Sequence, residues 1–375
     1  MTTRRIALIA ESLERAGTPK QLTLLAAGLP RDAFDVHVLA LERGGAYEST
    51  LSAAGIPVTI IGQRGWADPI GCGRLLRTLK RLRPDVVHTW GKTANFCGRS
   101  TALAAGVKTL LASEQGIDPQ KSGPRWMIDR WLAKRTARIV AVSPHVRDFY
   151  VAGGLPAEKF DVISNGVPLV SGTIATASSS DAPHRSALLA ELGLSPDARL
   201  IVSLGALKQH KRLKDLIWAT ELLRNIRDDF HLLIVGDGPQ REALLRYRNL
   251  VQLRDRVHFL GPRDDAAAIL TQSDLLWLSS AYEGQPNSVM EALAAGVPVV
   301  ATDIPGVREL VTNGEHGYLV PVGDRAALGR YANKLLNEPD LRAQFGAAGR
   351  ERMQREFSVK TMVARYDVLY RDVLK

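Results

Sequence analysis

The stretch Leu275-Leu-Trp-Leu278, followed by Tyr282-Glu-Gly-Gln-Pro-Asn-Ser-Val-Met-Glu-Ala-Leu-Ala-Ala-Gly-Val-Pro-Val-Val-Ala-Thr302, contains one complete structural repeat. Two short apolar runs, 275–278 and 297–301, bracket a turn at Gly284 and Pro286 and a helix that starts near Ser288. Apolar runs of this length, rich in β-branched residues, read as strands buried on both faces. They therefore belong to a parallel sheet whose crossovers are helices. The same alternation recurs outward in both directions. Toward the C-terminus it reaches 318–320, and back toward the middle it includes 257–260, 232–235 and 200–204. A second series occupies the first half at 6–10, 36–41, 58–61, 86–88, 109–112 and 139–142. Between the two series lies Ser171-Gly-Thr-Ile-Ala-Thr-Ala-Ser-Ser-Ser-Asp-Ala-Pro-His184, small, polar and without period, which reads as a linker. The expectation is α/β: two doubly wound, Rossmann-like domains facing a cleft. In such sheets ligands bind beyond the carboxyl ends of the strands. The expected division is 1–167, a linker and loose loop over 168–198, 199–356, and a closing helix over 357–375.

Size and charge are consistent with this. The 375 residues suit two domains, and 45% hydrophobic with 23% charged residues is ordinary globular composition. The two cysteines, Cys72 and Cys97, lack metal-ligand spacing and fit free thiols in a reducing cytosol. No apolar run approaches the ~20 residues that span a bilayer. The net charge of +10 is lopsided. Residues 1–165 hold 23 Lys+Arg against 14 Asp+Glu, whereas the remainder is nearly balanced. A one-sided basic surface implies an anionic partner: nucleic acid, membrane lipid or a phosphorylated substrate.

The quoted stretch also carries chemistry. A turn leading into a helix presents the free N–H groups of the helix N-terminus, a ready anion site. Glu283 lies in that turn and Glu291 in the first helical turn. Ser288-Val-Met-Glu291 also fits a capping box, a purely structural use of Glu291. A capping box leaves Glu283 and the Gly-x-Pro-Asn turn unexplained.

The string Glu283-Gly-x-Pro-Asn-x-x-x-Glu291-Ala-x-Ala-x-Gly-x-Pro-Val-Val-Ala-Thr resembles the Glu-x7-Glu signature of family 4 retaining glycosyltransferases, which have the GT-B architecture. Asn165-Gly-Val167, Ala141-Val-Ser143, Gly236-Asp-Gly-Pro239, Asp303-Ile-Pro-Gly-Val-Arg-Glu309 and Gly317-Tyr-Leu-Val-Pro-Val-Gly-Asp324 are similar to further blocks of that family, in order. The resemblance covers nearly the whole chain.

It implies a hexosyl transfer from a nucleotide-sugar, a UDP-sugar ahead of a GDP-sugar, with no cofactor and no bound metal. Glu291 would hold the ribose, Glu283 the donor sugar, and the backbone of Gly284, Gln285, Pro286, Asn287, Ser288 and Val289, with the amides of all but the proline, would line the donor. Relatives place cations for the diphosphate in a Gly-Arg-Leu-x-x-x-Lys loop. Here that loop reads Gly205-Ala-Leu-Lys-Gln-His-Lys-Arg212, so Lys211 and Arg212 are the implied catalytic cations. Ala206 replaces the usual arginine, and Lys208 is the neighbour that would compensate. Arg263 stands near the implied base site. Gly17 and Thr18, in Glu14-Arg-Ala-Gly-Thr-Pro-Lys-Gln21, stand where relatives approach the donor phosphates. His88, Glu114 and Gln115 are acceptor-side candidates, with a structural role for His88 equally weighed.

The implied location is the cytoplasm, peripheral to the membrane, with a sugar or lipid-linked acceptor. The expected setting is cell-surface polysaccharide or glycolipid synthesis. The excess charge concentrates in 74–83 and in 121–138, the latter with Trp126 and Trp131 among its bases. Those segments read either as solvated helix faces or as a surface for anionic lipid. Three alternatives are weaker. A GT-B-type epimerase or hydrolase would share the fold. A nucleic-acid protein would share the charge, but helix-turn-helix, RNA-recognition and zinc signatures are missing, so no nucleic-acid partner is expected. A Rossmann oxidoreductase lacks its Gly-x-Gly-x-x-Gly after the first strand.

Overall fold

A computed structural model of the chain describes residues 3–66, 68–169 and 182–375. It divides into two compact units, Met1–Gly166 with Val359–Lys375, and Val167–Ser358.

The first unit is built on seven parallel strands: β1 Arg4–Ser12, β2 Phe34–Arg43, β3 Val58–Ile60, β4 Val86–Trp90, β5 Thr109–Glu114, β6 Arg138–Ala141 and β7 Phe160–Val162, in the order β3-β2-β1-β4-β5-β6-β7. The second is built on six: β8 Arg199–Leu204, β9 Phe230–Val235, β10 Val257–Gly261, β11 Leu275–Leu278, β12 Val299–Thr302 and β13 Gly317–Val320, in the order β10-β9-β8-β11-β12-β13. All twelve apolar runs are strands. The seventh strand of the first sheet escapes notice in the sequence because Phe160-Asp-Val162 is short, half-buried and broken by a carboxylate.

Each unit has apolar packing on both sheet faces. Ile6, Leu8 and Ala10 belong to one cluster, whereas Ala7 and Ile9 belong to another. In the second unit Leu276 and Leu278 face one cluster, and Leu275 and Trp277 the other. Successive strand residues point to opposite faces, so a strand covered on both sides reads as an unbroken apolar run.

The linker expectation needs correction. Residues 170–181 lie outside the described residues, but Ala182–Glu191 is a helix. Leu188 and Leu189 are buried in the second unit's core. The small polar composition upstream hides a helix whose apolar residues are few but well placed.

The last helix, Val359–Val373, belongs to the first unit. Met362, Val363, Tyr366, Leu369 and Tyr370 are buried at helical spacing. It packs on the helix Gly17–Gly28 so closely that a Cβ at Gly28 would lie 2.6 Å from Val363 Cγ2.

Candidate active site

The order of the second sheet reverses between β8 and β11, the switch point at which an open parallel sheet leaves a crevice. The loops after those two strands are the ones that contain Lys211 and Glu283.

The lysine loop is held on both sides. Toward β9, Gly205 N donates to Val235 O (3.0 Å), Leu207 N to Asp237 O (2.9 Å) and Gln240 N to Leu207 O (2.9 Å). This contact needs two glycines. Gly236 has φ +134° and a Cβ there would sit 2.1 Å from Gly205 O, while one at Gly238 would sit 2.7 Å from Leu207 N. Gly236-Asp-Gly-Pro239 is therefore the bed of the lysine loop. Toward β11, Ala281 N donates to His210 O (2.8 Å) and Ser279 Oγ to Lys211 O (2.8 Å). The His210 and Tyr282 rings stack, with centroids 5.0 Å apart.

These constraints place Lys211 Nζ 2.5 Å from Glu283 Oε1, and Ser280 Oγ donates to the same oxygen at 2.7 Å. Both charged side chains are mostly buried, 19% and 12% exposed. The glutamate turn is fixed from below as well. A Cβ at Gly306 would lie 2.6 Å from the carbonyl oxygens of both Glu283 and Gly284, and Thr302 Oγ1 donates to Ser280 O (2.6 Å).

The helix after this turn spans Asn287–Ala294, with Pro286 as its N-cap and no side-chain cap. The capping-box reading of Ser288 and Glu291 is thus overturned, because the helix starts one residue earlier than expected. Ser288 is the second helical residue. Glu291 falls in the second turn, half-buried, instead of the first. Gly284, Gln285 and Val289 are buried.

Arg212 does not join Lys211 and Glu283. It adopts a left-handed conformation (φ +51°) at the start of the helix Leu213–Arg224 and donates through Nε to Asp215 Oδ2 (2.7 Å). Buried Asp215 takes Arg325 Nε on its other oxygen (2.8 Å). Lys208 is exposed and lines a separate cavity of about 300 Å³ with Arg212, Asp215 and Arg325. Arg263 is clamped by Asp265 (2.7 Å) and by Glu191 (2.6 Å), and these carboxylates raise its pKa further above the ordinary arginine value. Its side chain is committed to the protein surface. Glu191 belongs to the helix that the sequence concealed.

In the first unit, Gly17 and Thr18 open the helix Gly17–Gly28 beyond β1. Thr18 Cγ2 lies 3.8 Å from the Cβ position of Gly91, at the end of β4, so both loops meet at this sheet's own switch point. His88 is the clear correction among the acceptor-side candidates. β4 continues to Trp90, two residues past the expected end, so His88 is inside the sheet and fully buried. Its Nδ1 pairs with Tyr370 Oη (2.7 Å) and its Nε2 with Ser113 Oγ (2.8 Å). Burial pushes its pKa down to about 3 and keeps the ring neutral. Glu114 ends β5, accepts from Asn95 Nδ2 (2.9 Å) and is buried. Burial, together with the charge of Asp129, pushes its carboxyl up to about 7. Gln115 Nε2 is buried with no hydrogen-bond partner among the described residues.

Sequence reasoning missed Ser280, Asp215 and Arg325, and in the first unit Asn95, Arg99, Lys121 and Asp129. Some of their partners are distant, Arg325 being 110 residues from Asp215 and Asp129 30 from Arg99, and the near ones, such as Glu283 for Ser280, follow no motif spacing. One local irregularity marks the second group, the π-helical turn Ala94–Gly98 that carries Asn95.

Trp126 turns against Phe149 and Tyr150, whereas Trp131 is exposed with Arg135 over its ring at 4.0 Å. Among the described residues no helix is long and apolar enough to cross a membrane.

Comparison with known proteins agrees with the resemblance. Residues 16–170 match the family model described as Glycosyltransferase Family 4, and residues 185–352 the one described as Glycosyl transferases group 1. The chain is 33% identical over 186 residues to N-acetyl-alpha-D-glucosaminyl L-malate synthase of Bacillus anthracis, a match covering 49% of this chain and 48% of that one. It is 27% identical over 313 residues to the Escherichia coli UDP-Gal:alpha-D-GlcNAc-diphosphoundecaprenol alpha-1,3-galactosyltransferase, covering 79% of this chain and 78% of that one. The fold is that of Anabaena Alr3699/HepE, crystallised with UDP and glucose, at TM-score 0.86 and 23% identity over 98% of this chain and 100% of that one. With the two models meeting in tandem over its two units, the chain belongs to the family 4 glycosyltransferases, with the GT-B fold.

Proposed function

We propose that the protein transfers a hexosyl group from a nucleotide-diphosphate donor to an acceptor hydroxyl, with retention of configuration and without a divalent metal, in polysaccharide or glycolipid synthesis. The carrying observation is the Lys211–Glu283 pair at the switch point of the second sheet, next to a helix N-terminus. The diphosphate leaves with negative charge. Lys211 and the first-turn amides of the helix Asn287–Ala294 stabilise that charge as it develops. Glu283 accepts from donor-sugar hydroxyls, and Glu291 from the ribose. Front-side attack fits this arrangement: the acceptor enters on the face the diphosphate leaves, and a phosphate oxygen takes its proton. Holding donor and acceptor side by side on that face then supplies much of the rate.

A UDP-sugar is the donor favoured here. The E. coli relative is named for UDP-Gal, and the Anabaena structure holds UDP. That same relative is named for a diphosphoundecaprenol substrate, which supports a lipid-linked acceptor and work at the cytoplasmic face of a membrane. The basic, Trp131-bearing helix of the first unit provides the lipid contact.

The test is incubation with UDP- and GDP-sugars and mixed acceptors, with and without chelator, with product anomers assigned by NMR. A transferred sugar of unchanged configuration, formed in chelator, is the expected result. Free sugar or an epimer as the sole product would replace transfer by hydrolysis or epimerisation, and metal rescue would remove the metal-free mechanism.

A further inference from the structure

A cavity of about 560 Å³ lies entirely within the first unit. It opens beyond the carboxyl ends of β4 and β5, lined by the π-helical turn, by Glu114 and by the helix Gly123–Arg135. Its size is that of a small-molecule site.

Its charges are unevenly matched. Buried Asp118 is shared by Lys92 Nζ (3.1 Å) and Arg125 Nη2 (3.4 Å). Buried Asp129 is likewise shared by Arg99 and Lys121. Each carboxylate thus serves two cations, and each cluster retains one positive charge. Glu114, the remaining acid, is held partly neutral at pH 7 and can donate a proton to an oxygen acceptor. A cavity with a positive interior and a carboxyl donor suits an oxyanion.

Its rim is apolar. Trp66 is 67% exposed and packs edge-on against Phe96, 5.9 Å between centroids. Pro124, Met127, Ile128 and Trp131 form one helical stripe (i, i+3, i+4, i+7); Pro124 and Ile128 line the cavity, and Met127 and Trp131 continue the stripe outward, Met127 65% exposed. An exposed apolar stripe on a basic helix, leading from a cationic cavity, is complementary to a molecule with an anionic head and an apolar tail.

We propose that this cavity binds the phosphate head of an amphiphilic acceptor, with the phosphate against Lys92 and Arg125 and the tail along Trp66 and Ile128. The assignment deepens the proposed function and rests on it only in calling the ligand an acceptor.

The experiment uses the full chain and three probes: octyl phosphate, octyl glucoside and inorganic phosphate, followed by tryptophan fluorescence with Trp66→Phe to assign the signal. Octyl phosphate should bind about tenfold tighter than either of the others, and Lys92→Ala with Arg125→Ala should weaken it by about tenfold or more, the scale of losing charge-assisted hydrogen bonds. Both side chains are more than half exposed, so the double variant keeps its core, which an unchanged thermal shift with UDP checks. Equal binding of octyl glucoside, or unchanged affinity in the double variant, overturns the proposal. Inorganic phosphate binding as tightly as octyl phosphate overturns the amphiphile in favour of a soluble phosphate. Octyl phosphate binding without any nucleotide binding or transfer would leave the cavity assignment intact and sink the transferase reading. Nucleotide binding and transfer without octyl phosphate binding would do the reverse.

Discussion

Lys211 and Glu283 meet at 2.5 Å although 72 residues separate them, because one follows β8 and the other follows β11. Those strands are neighbours at the point where the sheet changes direction. The pair is therefore a product of topology, and a donor phosphate entering there would draw Lys211 away from the glutamate. Lys211→Ala should lower kcat by about 10²-fold, roughly 3 kcal/mol of barrier, since it removes a cation that acts on developing charge. Glu283→Ala should also cut turnover. Near-wild-type kcat in both variants would dismiss the pair as structural.

Arg212 provides the contrast. Its partner is Asp215, so Arg212→Ala should act on stability, with a loss on the order of 1 kcal/mol, and reduce kcat far less than Lys211→Ala. Parallel melting curves and steady-state rates of the two variants measure this. A kcat loss equal to that of Lys211→Ala would return Arg212 to the reacting phosphates.

The strands were legible because both sheet faces are covered, which leaves continuous apolar runs such as 275–278. That Lys211 and Glu283 come together follows from the order of the strands, whereas the roles expected of them and of Glu291 came from the family resemblance. Arg212 pairs with Asp215 and does not join Lys211, because adjacency in the chain says nothing of side-chain direction. For His88 the sequence left an acceptor-side and a structural role open, because the end of β4, two residues further on than expected, decides whether it is at a rim or inside the sheet. The basic segment 121–138 stood out by its charge, but its pairing of Asp129 with Arg99 did not, since Arg99 lies on a separate helix, Arg99–Ala104.

Gly236 gives a prediction about the bed of the lysine loop. Gly236→Ala combines a φ of +134° with a Cβ 2.1 Å from Gly205 O. The strain of such a backbone is on the order of 1–3 kcal/mol, and relief requires the loop carrying Lys211 to move. The variant should lose both melting temperature and transferase activity. Unchanged activity would show that the loop tolerates displacement.

His88 predicts a pH dependence of stability. Its pKa is lowered from 6.5 to about 3 in the folded protein, so between these values the unfolded chain binds a proton that the native state refuses. Stability from this residue is full above about pH 6.5 and falls as pH drops toward 3, by up to about 1.4 kcal/mol per unit. Glu114 has the opposite sign. With its pKa raised from 4.5 to about 7, the native state holds the extra proton, and stability falls as pH rises through that window. The two slopes oppose each other between about pH 4.5 and 6.5. Urea midpoints of His88→Gln and Glu114→Gln across pH 4–8 should therefore tilt in opposite directions. Parallel tilts would contradict both environments.

The lipid contact of the first unit is tested by sedimentation with vesicles. Binding to anionic vesicles at low salt should weaken when Lys134 and Arg135 are neutralised, by about 1 kcal/mol for each charge near the surface. Charge-independent binding, or none, would leave the excess of bases as ordinary solvated helix faces.

The placement of the helix Val359–Val373 has a consequence for synthesis. The core of the first unit includes Tyr366 and Tyr370, and His88 depends on Tyr370 for one of its two partners. The second unit closes on itself earlier: Val167 N donates to Phe357 O (2.8 Å), joining its two ends. On a ribosome, the segment made first is thus the one completed last, while the inserted unit has all its residues in hand before the tail emerges. Pulse proteolysis of a chain ending at residue 358 should find residues 167–358 protected and the first 166 still open to cleavage, whereas in the full chain both units are protected. A protease-resistant first unit in the shorter chain would contradict that order.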